Sequence, residues 1–178
     1  MLFAGQATQD ELQTVFTEQA QALATAGVDA LAIETMADLD EARIALEAAK
    51  ATGLPVVCCM IFDSGKQQDR IMTGASAEQI ARDLTAAGAD VIGANCGQGI
   101  ASYVQVCRQL HAATDRPIWI KANAGIPQVE GDQVVYNTTA DEFANYGPVL
   151  VEAGARFLGG CCGTAPEFIT ALKTRICP

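Results

Sequence analysis

Three cysteines stand where strand-like segments run out into glycine-bounded loops. Cys96 lies in Gly93-Ala94-Asn95-Cys96-Gly97, and the adjacent pair Cys161 and Cys162 in Gly159-Gly160-Cys161-Cys162-Gly163-Thr164. In a parallel α/β fold, reactive groups gather where strands end and the following loops begin, so these sulfurs are expected to converge on one face. Three thiolates suit Zn²⁺, which in catalytic sites takes three protein ligands and leaves one position open. A substrate thiol in that position would sit as thiolate at neutral pH. Three anionic sulfurs would leave it electron-rich enough to attack a methyl group in line. Strand side chains alternate faces, so adjacent cysteines can share a metal only where the backbone has begun to turn; Gly160 and Gly163 permit that turn. Two further strand ends carry Glu34-Thr35-Met36 and Asn123-Ala124-Gly125. Glu34 closes an apolar strand and is expected to project toward the same site.

The elements that must position these residues alternate along the whole chain. Glu11 to Ala26 has helical periodicity and ends at Gly27, a C-cap, before the strand Val28 to Glu34. Asp38 caps a helix to Lys50, and Gly53-Leu54-Pro55 leads into the apolar run Val56 to Phe62. Ser76 and Gln79 open a helix to Ala87, followed by the strand Asp90 to Asn95. A helix from Ile100 to Ala113, a strand from Pro117 to Ala122, a long polar loop, a helix from Ala140 to Ala153 and a strand from Arg156 to Gly159 come next. Pro166 sits in the first turn of a last helix, where its missing N–H does no harm. The junctions Ala26-Gly27-Val28-Asp29, Ala87-Gly88-Ala89-Asp90 and Ala153-Gly154-Ala155-Arg156 form a weak repeat. Five strands alternating with six helices match either a doubly wound sheet or a piece of a (β/α)₈ barrel.

Composition narrows the class. At 178 residues, half of them apolar, the chain is read as one domain with a real core. The formal charge of −10 gives no footing for phosphate backbones, so nucleic acid is not an expected partner. No apolar run approaches the roughly 18 to 20 residues of a membrane span, and the segment from Met1 to Gly5 has no basic n-region or long h-region; a soluble, cytoplasmic protein is expected. Seven cysteines, an odd number and partly adjacent, do not form a secreted disulfide framework.

Four ordered motifs carry a resemblance. Glu34-Thr35-Met36-x-Asp38-Leu39-x-Glu41-Ala42, Gly93-x-Asn95-Cys96, Asn123-Ala124-Gly125-Ile126-Pro127 and Gly159-Gly160-Cys161-Cys162-Gly163-Thr164-x-Pro166 together resemble the homocysteine S-methyltransferase family, which includes the zinc barrel of cobalamin-dependent methionine synthase. The likeness runs over nearly the whole chain. It implies an α/β fold, a partial TIM (β/α)₈ barrel whose strands correspond to the fourth through eighth. It implies that Cys96, Cys161 and Cys162 bind Zn²⁺ and that Asn123 can hold the fourth position until a substrate thiol displaces it. Glu34 would meet the amino group of homocysteine. By their own residue type, Asn95 and Asn123 read either as substrate-binding residues or as stabilisers of their turns through side-chain bonds to backbone. The implied reaction makes methionine, with methylcobalamin, S-methylmethionine or a betaine-like compound as donor.

Family barrels begin with an Asp-Gly strand that this chain lacks, and a closed barrel needs about 250 residues, roughly 200 at least. The expectation is therefore a fragment, a truncated reading frame or one half of a split enzyme. Its open strand edges and uncovered face would demand self-association or a complementary N-terminal half. Two other readings keep the site: a catalytically silent zinc-binding module, and a methyltransferase acting on another thiol or a corrinoid-linked group. Cys58 and Cys59 read as core, Cys107 and Cys177 as incidental, His111 as a surface residue. The loops Gly97-Gln98-Gly99 and Gly159-Gly160 invite a phosphate reading that gives no reason for Cys161-Cys162.

Overall fold

The structure is a computed structural model that describes residue 2 and residues 4–177. The opening segment is therefore covered only in part, since Met1 and Phe3 lie outside the described residues. Its helices are α1 (Gln9–Thr25), α2 (Leu39–Lys50), α3 (Ala77–Ala86), α4 (Tyr103–Ala113), α5 (Ala140–Ala144), α6 (Tyr146–Glu152) and α7 (Pro166–Ile176). The strands are β1 (Leu31–Met36), β2 (Val56–Met60), β3 (Val91–Cys96), β4 (Ile118–Ala122), the short pair β5 (Gln128–Glu130) and β6 (Gln133–Val135), and β7 (Ala155–Gly160). No helix among the described residues is long and apolar enough to cross a membrane.

The sheet settles which α/β arrangement the alternation produces. Its order is β1-β2-β3-β4-β7, with every neighbouring pair parallel. Strand order thus follows chain order from edge to edge. A doubly wound sheet reverses its order at a switch point; this one winds in a single sense, consistent with a partial barrel. Successive helices lie side by side, α1 on α2, α3 on α4, α4 on α6 and α6 on α7. The core fills the space between them and one face of the sheet, through Val56, Cys58, Met60, Ile92, Ala94, Ile118 and Ile120. The alternate positions point the other way. Ala32, Glu34 and Phe157 are exposed on that second face, and Trp119 packs against Phe157 with the rings tilted and their centroids 5.6 Å apart.

Local chemistry explains the boundaries. Thr8 and Glu11 cap α1 reciprocally, Asp38 accepts the N–H groups of Asp40 and Glu41 at α2, and Ser76 accepts that of Gln79 at α3. Four expectations need correction. The first strand begins at Leu31 rather than Val28, because its ladder starts only where Leu31 faces Val56. The helix expected from Ala140 to Ala153 divides at Asn145: Pro148 has no N–H to offer the carbonyl four residues back. The long loop contains the antiparallel pair β5 and β6, and Ile100–Ser102 forms a 3₁₀ turn ahead of α4. Asp90, just before β3, accepts the Val56 N–H at 2.8 Å and the Lys50 ammonium at 2.9 Å. The backbone N–H of Val56, and then Lys50, hold its carboxyl below the usual range.

Candidate metal centre

Each thiol of interest is placed by a local backbone constraint. Cys96 ends β3 with φ 66 and Gly97 follows with φ 69, two left-handed residues in succession that swing the chain off the sheet. Such a φ costs a Cys about 1–2 kcal/mol, and Tyr103 helps to hold the turn. Its fully buried phenol donates to the Asn95 carbonyl at 2.7 Å, and a Cβ at Gly97 would lie 2.5 Å from its oxygen. Burial pushes the Tyr103 phenol well above its ordinary pKa. Cys161 follows β7, its N–H donating to Ala122 O at 2.8 Å, while Thr164 turns back to donate to Cys161 O. A Cβ at Gly160 would lie 2.6 Å from the Thr164 Cβ, and one at Gly163, where φ is 77, would run into the Tyr136 ring. The two glycines are required by this turn.

The sulfurs of Cys96, Cys161 and Cys162 all lie within 4.8 Å of one another, and those of Cys161 and Cys162 are 3.9 Å apart. Thiolates at zinc–sulfur distances near 2.3 Å in tetrahedral directions stand about 3.8 Å apart. The donor set therefore fits one soft divalent cation. Burial raises the Cys162 thiol's pKa first, and the Cys161 thiol beside it adds to the effect. The other cysteines belong elsewhere: Cys58 and Cys59 are fully buried in β2, Cys107 is fully buried in α4, and Cys177 is exposed. Burial pushes Cys59 up to about 12 and Cys107 up to about 11, so both are inert thiols. His111 is exposed.

The two asparagines are brought to the thiols, each as a clip. Asn123, 4% exposed, donates to Gly97 O at 2.7 Å and toward Cys96 Sγ at 3.5 Å, while its oxygen accepts the Cys162 N–H at 3.0 Å. One amide thus ties the Cys96 loop to the Cys162 turn. Asn95, fully buried, accepts the Thr35 N–H at 2.7 Å, donates to Thr35 Oγ1 at 2.7 Å and points its amide at Cys161 Sγ at 3.7 Å. Thr35 needs this support. It has φ 60 at a bulge where Ile33 faces Cys58 but Met36 already faces Met60, and bulges re-aim neighbouring side chains. Here the neighbour is Glu34. Asn95→Ala is expected to lower stability by about 1–2 kcal/mol, because it removes the part-buried partner of both the Thr35 N–H and its hydroxyl. Chemical denaturation measures this, and an unchanged midpoint would mean that water replaces the amide without loss.

Glu34 carries a partner that its sequence context did not reveal. It forms an ion pair with Lys121, whose side chain is 8% exposed against 47% for Glu34. Lys121 lies over the Trp119 ring at 4.4 Å. A lone lysine in the apolar strand Ile118-Trp119-Ile120-Lys121-Ala122 was the available signal, since a buried ammonium demands a counter-charge. Tyr136, at the end of the β5–β6 pair, was missed as well; it covers Gly163.

The profile of the homocysteine S-methyltransferase family matches residues 3–176. The chain is 26% identical over 172 residues to methionine synthase of Mycobacterium leprae (strain TN), covering 93% of this chain and 14% of that protein. It is 25% identical over 187 residues to betaine–homocysteine S-methyltransferase 1 of Danio rerio, covering 95% and 46%. The metallated form of the homocysteine methyltransferase MmuM from Escherichia coli superposes with a TM-score of 0.77 at 26% identity, over 95% of this chain and 52% of that one. The carboxyl transferase domain of Rhizobium etli pyruvate carboxylase, at 16% identity and TM-score 0.61, shares the fold alone. The chain spans about half the length, or less, of these relatives.

Proposed function

The chain belongs to the homocysteine S-methyltransferase family, and from that premise we propose that it holds Zn²⁺ on Cys96, Cys161 and Cys162 and methylates the thiol of homocysteine to give methionine. The observation that carries this reading is the meeting of three sulfurs from two separate strand ends within 4.8 Å. Zinc held on these cysteines would lower the pKa of an acceptor thiol, so that its sulfur is a nucleophile at neutral pH.

The chain's own residues do the rest. Asn123 holds the two cysteine loops in register, and with zinc bound and no thiol present its amide oxygen would be a candidate for the remaining ligand. Glu34, aimed by the Thr35 bulge and nearly half exposed, receives the α-amino group and orients the amino acid so that its sulfur faces the cysteines. Asn95 acts through Thr35 and Cys161. The five strands are assigned to the fourth through eighth of a (β/α)₈ barrel, with residues 1–178 as the C-terminal portion of the homocysteine-binding domain. The donor is methylcobalamin, S-methylmethionine or a betaine-like compound, the last in keeping with the named substrate of the Danio rerio relative. A reducing, cytoplasmic setting suits the free thiols.

A second reading is favoured by the sheet face opposite the helices, where Phe157 is 47% exposed. On that reading the chain is silent until a second copy or a complementary half covers the face. Incubating the zinc-loaded chain with homocysteine and each donor class separates the two. Methionine formation by the chain alone is the expected result; activity appearing only after a complementary half is added would favour the silent module, and none under either condition would sink the proposal.

A further inference from the structure

Lys121 is the only charged residue among the described buried ones, and the fold restrains it on every side. Its stem passes Gly159, where a Cβ would lie 3.3 Å from Lys121 Cγ, and its ammonium lies over the Trp119 ring. Asn95 and Gly159 are its register partners on the strands to either side. The pair with Glu34 reaches from β4 to β1, three strand spacings or roughly 14 Å along a flat sheet. It closes because the sheet is concave and both side chains are long. Cys59 lies beneath the pair, next to Gly93, whose missing side chain leaves room for that layer: a Cβ there would lie 2.6 Å from Trp119 O.

An ion pair crossing an interior face lined by Trp119 and Phe157 is an expensive way to fill space, since apolar residues of similar volume serve packing as well or better. The asymmetry of the pair supplies a reason for it. Lys121 is almost wholly enclosed, whereas Glu34 is about half exposed near the end of β1. One carboxylate oxygen, Oε1, is taken by the ammonium, and the outward side of the same carboxylate is open to a ligand.

Resting on the function proposed above, we infer that Lys121 is a positioning residue that sets specificity for α-amino thiols. By anchoring Oε1 it fixes the rotamer of Glu34, so that the other oxygen is presented to the acceptor's ammonium group and away from the sulfurs. A freely rotating glutamate on a strained bulge would spend binding energy on being ordered. The ligand class follows from the charge: a primary amine carried a few bonds from a thiol.

The test compares two thiols that differ only in that amine, homocysteine and 4-sulfanylbutanoate. Their binding to the zinc-loaded protein is measured by calorimetry, with KM and kcat alongside. Wild type is expected to prefer homocysteine. Lys121→Met, with Lys121→Gln as a second neutral variant should the first not fold, is expected to weaken homocysteine about 10-fold and leave 4-sulfanylbutanoate unchanged. The loss should be carried by KM, and Lys121→Arg should recover most of it. Equal weakening of both thiols, or of neither, overturns the inference and leaves the proposed function standing. If neither thiol binds the zinc-loaded wild type, the functional reading falls and this inference with it.

Discussion

Cys161→Ser is expected to bind zinc about 100-fold or more weakly than the wild type, while Cys177→Ser keeps a full equivalent. Apparent zinc binding energies of about 10–16 kcal/mol spread over four donors give about 3 kcal/mol per donor, which is roughly two decades in affinity. A serine hydroxyl cannot replace the thiolate, because it does not ionise near neutral pH. Cys161 is the most informative of the three positions. Its sulfur is 3.9 Å from that of Cys162 and accepts the amide of buried Asn95, so its loss removes a ligand already oriented by the fold. Competition with a chromophoric chelator measures the affinity. The dependence on pH has a defined sign. Burial and the neighbouring Cys161 raise the Cys162 thiol, zinc must displace its proton, and affinity should therefore fall as the pH is lowered from 8 to 6. Full zinc occupancy in Cys161→Ser at low zinc concentration would remove that ligand from the proposal.

Glu34→Gln is expected to lower kcat/KM for homocysteine about 100-fold with zinc content unchanged, since a charge-assisted contact to the amino group is lost. The carboxylate is not a member of the three-sulfur cluster. A cost in stability accompanies the change, because Lys121 keeps a charge that nothing now balances. Removing one partner of a buried pair costs about 3–5 kcal/mol. Glu34 is 47% exposed, so water shares the load and about 1–2 kcal/mol is expected instead. Steady-state kinetics at saturating donor, together with thermal unfolding, separate the two effects. A variant with wild-type kcat/KM would show that Glu34 serves the sheet and not the acceptor.

What the sequence made legible is what is encoded locally. The helix starts at Asp38 and Ser76 are written in side chains that cap within three residues, and the cysteine turn is written in Gly160 and Gly163; the Thr8 cap is equally local, but the first helix was expected only from Glu11. The division at Asn145 was equally local, since Pro148 announces it, but the apolar run around the proline reads as continuous helix. Long-range pairings were not legible in the same way. A β-branched residue such as Thr35 has no intrinsic reason to adopt φ 60; it does so because Asn95, sixty residues later, satisfies both its N–H and its hydroxyl. Lys121 reads as an anomaly in an apolar strand until the curvature of the sheet brings Glu34 within reach. The roles of the two asparagines likewise emerge only with coordinates. Asn123 ties the Cys96 loop to the Cys162 turn, whereas Asn95 bonds chiefly to Thr35 and reaches only the Cys161 sulfur.

The most direct measurement is X-ray absorption at the zinc edge, on the purified chain and then on the same sample with homocysteine added. The account predicts a first shell of three sulfurs at about 2.3 Å plus one light atom, converting to four sulfurs with the amino acid present. A shell of oxygen and nitrogen alone, or a three-sulfur shell that homocysteine leaves unchanged, would contradict it.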